Sequence, residues 1–152
     1  MRPYTETISA CDKEPLIASI DRALSSWLTH APYLAFFRSK LRRARVLPPV
    51  QIPDDMITME SRFAVIDARN GNTFDYTLVF PEQQSERQGK LSVLSPMGMV
   101  LLGARVGDEV VWTSAAGPEI ATIKKLFYQP ESASRQDPRP NRTSSMPELF
   151  LG

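Results

Sequence analysis

The chain has 152 residues but only one cysteine, Cys11, and one histidine, His30. An intramolecular disulfide is therefore excluded, and no Cys/His zinc site can be completed within one copy. Long apolar runs are also missing: nothing approaches the ~18 uninterrupted apolar residues of a membrane span, and Met1 to Pro15 has no apolar signal core. These absences predict a soluble, reduced, cytoplasmic protein with no membrane partner. Neither sign of charge dominates, since 18 basic residues face 17 acidic ones. That balance excludes both a uniformly basic nucleic-acid binder and a highly charged disordered chain.

Glycine is absent from the first 70 residues, whereas six of the seven glycines lie between Gly71 and Gly117. Turn-rich structure is therefore expected in the second half. Charge divides at nearly the same place: residues 1–50 carry 8 basic and 4 acidic side chains, and residues 51–128 carry 7 and 10. Pro48, Pro49 and Pro53 mark the boundary, because proline fixes φ and removes a backbone donor. The expected organisation is an extension over residues 1–13, a helical hairpin over 14–47, a linker over 48–55 and a domain over 56–131. From Ser132 the chain is rich in Ser, Pro and Arg and reads as a flexible tail.

Ile17, Ile20, Leu24 and Trp27 are spaced 3, 4, 3, and Leu34, Phe37, Leu41 and Ala44 repeat that spacing after Pro32. Two such seams predict two short helices zipped antiparallel. The second carries Arg38, Lys40, Arg42, Arg43 and Arg45, with no acidic residue from Tyr33 to Leu47. Arg38, Arg42 and Arg45, at spacings of 4 and 3, are candidate contacts to phosphate or to an acidic protein surface. A solvated helix face accounts for the same residues.

In the second half, Phe74, Tyr76, Leu78 and Phe80 alternate with Asp75, Thr77 and Val79, the period of a half-buried strand. Residues 62–68 supply a partner strand, joined through Asn70-Gly71, a pair suited to a type I′ turn. Leu91 to Leu94 reads as a short strand. Ser95-Pro96 then supplies a cap and a first helical residue for an apolar helix from Met97 to Leu102, ended by Gly103. Two further strands, Glu109 to Thr113 and Glu119 to Tyr128, complete an antiparallel sheet packed on one short helix, an α+β domain.

These residues include specific runs: Lys90 to Gly98 (KLSVLSPMG), Leu101-Leu102-Gly103, Val106-Gly107-Asp108-Glu109-Val110, and Leu126 to Glu131 (LFYQPE). Together they resemble the C-terminal domain shared by bacterial GreA/GreB transcript-cleavage factors and the Rnk proteins. The closing Tyr-Gln-Pro-Glu and the opening Pro53 to Met59 resemble Rnk in particular. The resemblance implies an FKBP-like fold, RNA polymerase as partner, docking near its secondary channel, and Ser95, Pro96 and Met97 within the polymerase-contacting segment.

Two departures from the Gre pattern carry consequences. The resemblance places acidic residues at the tip of a long coiled coil, where they help to hold catalytic magnesium, and hard cations require oxygen ligands. Here the tip reads Leu28-Thr29-His30-Ala31-Pro32-Tyr33-Leu34, without a carboxylate. Asp21 lies about 10 Å back along the arm. Leu94 stands where an acidic residue generally precedes Ser-Pro. The expected function is thus a regulator that binds polymerase without cleaving RNA and competes with Gre-type factors. Alternatives are a peptidyl-prolyl isomerase, from the implied fold, and a nucleic-acid-binding module that uses the basic second helix. No catalytic, metal or cofactor residue is assigned: His30 reads as an exposed loop residue, Cys11 as an ordinary thiol, and Asp54-Asp55 and Asp108-Glu109 as linker and turn residues.

Overall fold

Ser9 ends a three-residue strand, β1 (Thr7–Ser9), and caps helix α1 (Ala10–Leu24), its Oγ accepting from the Cys11 backbone N–H at 3.2 Å. The computed structural model describes residues 7–26 and 32–136. The side-chain cap satisfies one of the orphan amides of the first turn and starts the helix four residues before Glu14. Pro15 lies inside α1 and removes a single backbone hydrogen bond there. Helix α2 (Pro32–Arg43) opens on its proline and buries Leu34, Phe37 and Leu41. It packs against the Leu16, Ile17 and Ile20 face of α1. Strand β2 (Arg45–Leu47) follows and pairs in parallel with β1, Ile8 opposite Val46. The bend between the helices, including Trp27 and His30, lies outside the described residues.

The main sheet contains β3 (Arg62–Asp67), β4 (Thr73–Val79), β5 (Lys90–Ser92), β6 (Glu109–Ser114) and β7 (Gly117–Tyr128), in the order β5-β4-β3-β7-β6. Every neighbouring pair is antiparallel except β4 and β5, which run parallel with Leu78 opposite Leu91. The expected all-antiparallel sheet is therefore mixed. The reason lies between the strands: a 3₁₀ turn at Pro81–Gln83 and a loop closed by Ser85 and Lys90 double the chain back, so β5 enters in the direction of β4.

The β3–β4 hairpin forms, but not through a type I′ turn. That turn needs positive φ at both central residues, and among the described residues Glu60 is the only non-glycine with positive φ. Gly71 alone turns left-handed (φ 75°), inside a wider loop. The Gly71 N–H donates to the Asp67 carbonyl, the Asp67 N–H donates to the Asn72 carbonyl, and the Asn72 N–H donates to Asn70 Oδ1. Alternation also weakens at this end of β4: Leu78 is buried, whereas Phe74 is 42% exposed.

Helix α3 (Pro96–Leu101) packs beside β6 and buries Met99, Val100 and Leu101. Gly103, at φ 85°, lets the chain leave the helix as expected. Ile8, Leu16, Ile20, Phe37 and Leu41 from the arm belong to the same buried cluster as Phe63, Val65, Leu78, Leu101 and Ile123. The arm is thus part of the core rather than a free rod.

The stretch read as a linker is likewise held in place. It carries a 3₁₀ turn at Pro49–Gln51 and the buried Ile52, and Gln129 Nε2 donates to the carbonyls of Pro53 (2.8 Å) and Met56 (2.6 Å). The same Gln129 amide accepts through Oε1 from the Ser132 N–H, at the start of helix α4 (Pro130–Gln136). Residues expected to open the tail are therefore helical up to Gln136. Residues 137–152 lie outside the described ones.

Candidate docking surface

The segment Ser92 to Gly98 is built by short-range chemistry. Ser92 is buried and its Oγ accepts from the Leu94 N–H. Ser95 Oγ accepts from the Gly98 N–H at 3.0 Å and donates to the Ser92 carbonyl at 2.6 Å. Both polar roles of the Ser95 hydroxyl are thus used within the segment, so Ser95 shapes the helix start. Pro96 is exposed at the first helical position, and Met97 is partly buried against the core. Leu94, at the position noted as acidic in Gre factors, is buried. Of Leu94 to Met97, Pro96 is thus the one exposed residue.

Gly98 is a structural member of this site that its motif alone does not explain. A Cβ there would lie 2.0 Å from the Ser92 carbonyl oxygen, so only glycine lets α3 approach the Ser92–Val93 backbone this closely.

Beside Ser95 opens a cleft of about 480 Å³, lined by Phe74, Tyr76, Glu86, Lys90 and Leu91 among others. Phe74 and Tyr76 stack with their ring centroids 6.4 Å apart. Partial burial, and then the charge of Asp67, raises the pKa of the Tyr76 phenol. It remains a hydrogen-bond donor at neutral pH. The cleft thus offers an aromatic wall, one cation and carboxylates next to the exposed proline.

The basic residues do not share one helix face. Arg38 is tied to Asp21, its Nε donating to Oδ1 at 2.6 Å. Arg42 is exposed near the end of α2, but the helix stops at Arg43 and Arg45 stands on β2. The helical spacing that joined Arg38, Arg42 and Arg45 on one face breaks at Ala44. Lys40 lies over the Phe36 ring, 5.7 Å from its centroid.

Of the paired carboxylates, Asp55 accepts from Arg105 Nε at 2.8 Å, and Asp108 Oδ2 accepts from the Arg105 N–H at 2.9 Å. They brace the turn before β6. Among the described residues, no group of three or more His, Cys, Asp or Glu side chains is placed to hold a metal ion. Cys11 is exposed, and no helix there is long and apolar enough to cross a membrane.

Residues 52–128 match the family model for the transcription elongation factor GreA/GreB C-terminal domain. The chain belongs to the GreA/GreB family. The regulator of nucleoside diphosphate kinase of Escherichia coli K12 is 36% identical over 105 residues, covering 67% of this chain and 76% of that protein. GreA of Chlorobium phaeobacteroides BS1 is 39% identical over 93 residues, 60% of this chain and 58% of that one. The chain therefore spans less than two thirds of that GreA. The solved structure of a transcription elongation factor GreA/GreB from Nitrosomonas europaea superposes with a TM-score of 0.66 at 29% identity, covering 84% of this chain and all of that one. The matched family segment contains the whole sheet, the cleft and the Ser95 helix start. It excludes α1 and α2.

Proposed function

We propose that this GreA/GreB-family protein is a cytoplasmic regulator of transcription elongation that binds RNA polymerase near its secondary channel without cleaving RNA. The sheet and α3 are read as an FKBP-like docking domain, and α1 and α2 as a short hairpin arm. The observation that carries the reading is the built helix start within the family segment: Ser95 and Gly98 fix the backbone so that Pro96 projects beside the aromatic cleft. Fold alone does not carry a function, so the contact rests on these residues.

The test is retention of polymerase core subunits from a bacterial lysate, followed by affinity measurement with the purified enzyme. The full chain should bind. A Ser95→Ala, Pro96→Ala variant that keeps its thermal midpoint should bind about tenfold more weakly, the equivalent of about 1.4 kcal/mol. Unchanged affinity in that variant removes the proposed contact. Binding of single-stranded or duplex nucleic acid without polymerase, falling steeply with salt, would favour the nucleic-acid module instead.

A further inference from the structure

Three elements distant in sequence meet on one turn. Asp12, in the first turn of α1, accepts from the Met59 N–H through Oδ2 at 3.1 Å. Glu131, in the first turn of α4 and buried, accepts from Thr58 Oγ1 at 2.7 Å. Thr58 and Ser61 close the turn, with the Thr58 N–H donating to Ser61 Oγ at 2.9 Å. Between them Glu60 adopts φ 68°, a conformation that non-glycine residues hold only where surrounding contacts impose it. The turn is in turn fixed to β4, because the Glu60 N–H donates to the Leu78 carbonyl and the Leu78 N–H to that of Ser61. Asp12 and Glu131 repel one another when both are charged, and Glu60 adds to that repulsion. Lys13, next on α1, is half-buried.

We propose that Asp12 and Glu131 form a proton-dependent clasp on the Thr58–Ser61 turn. A proton on Asp12 keeps α1 seated against the turn, and loss of that proton beside the Glu131 side chain loosens the arm from the sheet domain. Burial is the largest effect on Asp12 and pushes its carboxyl from 3.8 up to about 7; the Met59 amide opposes the shift, and Glu131 and Glu60 add to it. A folded-state pKa above the unfolded value means that the folded protein holds an extra proton between these values. The stabilisation is therefore full at low pH and is lost as pH rises through about 7. On the polymerase-binding reading, the clasp controls how rigidly the arm is presented, but the clasp itself does not depend on that reading.

The test uses the full chain without polymerase: hydrogen exchange at pH 5.5, 7 and 8.5, corrected for intrinsic rates. Protection of the Ile17 and Ile20 amides in α1 should fall about thirtyfold from pH 5.5 to 8.5, while amides of β3 and β7 hold theirs. Asp12→Asn keeps an acceptor for the Met59 amide but cannot ionise, so its α1 protection should stay flat. Glu131→Gln removes the facing charge and should move the wild-type midpoint to higher pH if Asp12 gains protection from it, and to lower pH if repulsion is relieved; the clasp requires the lower value. An unshifted or raised midpoint, an equal fall in Asp12→Asn, no fall in the wild type, or an equal loss across β3 and β7 would each overturn the proposal.

Discussion

Gly98 lies against the Ser92 carbonyl so closely that the approach leaves no room for a Cβ, which would sit 2.0 Å from the oxygen. The neighbouring Ser95 hydroxyl bonds to both residues, to the Gly98 amide and to the Ser92 carbonyl. One short stretch of backbone thus sets both the packing of α3 and the exposure of Pro96.

Gly98→Ala must therefore displace backbone rather than a flexible side chain. The expected cost is about 3 kcal/mol, a fall of about 10 °C in thermal midpoint. Ser95→Ala loses only the cap, about 1 kcal/mol. Thermal scans of both variants check the ranking, and a Gly98→Ala midpoint within about 2 °C of wild type would show that the close approach is not enforced in solution.

The shared core predicts a single unfolding transition. Phe37 is fully buried on α2 within the same cluster as Phe63 and Leu78 on the sheet. Phe37→Ala should cost about 3–5 kcal/mol and lower the midpoint of the whole protein, with far-UV and near-UV circular dichroism melting together. A variant in which the helices melt early and the sheet keeps its wild-type midpoint would separate the arm from the core.

Much of the site was legible because its chemistry is local. Ser95, Pro96 and Gly103 mark a helix by cap, fixed φ and left-handed exit, and each signal acts within a turn of its own residue. The β3–β4 hairpin was legible for the same reason, although Asn70-Gly71 over-specified its turn. The parallel pairing of β5 was not, because the path of residues 80–89 sets its direction, not the pattern of Lys90–Ser92. Strands β1 and β2 have three residues each, too few to show a period. The contacts of the Thr58–Ser61 turn with Asp12 and Glu131 span 47 and 73 residues and leave no local trace.

The charge on the arm should act on association rate, through Arg42 and Arg45. Both are exposed, and neither has a salt-bridge partner among the described residues. Reversing both to glutamate should slow binding to polymerase more at low salt than at high salt, since screening weakens exposed charge. Arg38→Glu differs, because it also breaks the pair with Asp21 and costs up to about 1 kcal/mol of stability. Stopped-flow association at several ionic strengths checks this, and a salt-independent effect would assign the basic residues to solvation alone.

Occupancy without catalysis is the last expectation. Magnesium needs oxygen ligands at roughly 2 Å, or one water further out, and residues 28–34 read Leu-Thr-His-Ala-Pro-Tyr-Leu, with no carboxylate. Asp21 does not substitute for one, since Arg38 already holds its carboxylate. A protein that binds at the same rim then narrows access to the active centre while adding no ligand for the metal. In a backtracked elongation complex with magnesium, it should leave RNA cleavage at the intrinsic rate and, at saturation, slow cleavage by an added Gre factor. Cleavage above the intrinsic rate by this protein alone would overturn the argument from the tip. A Gre factor that works at full speed beside saturating protein would overturn the shared site.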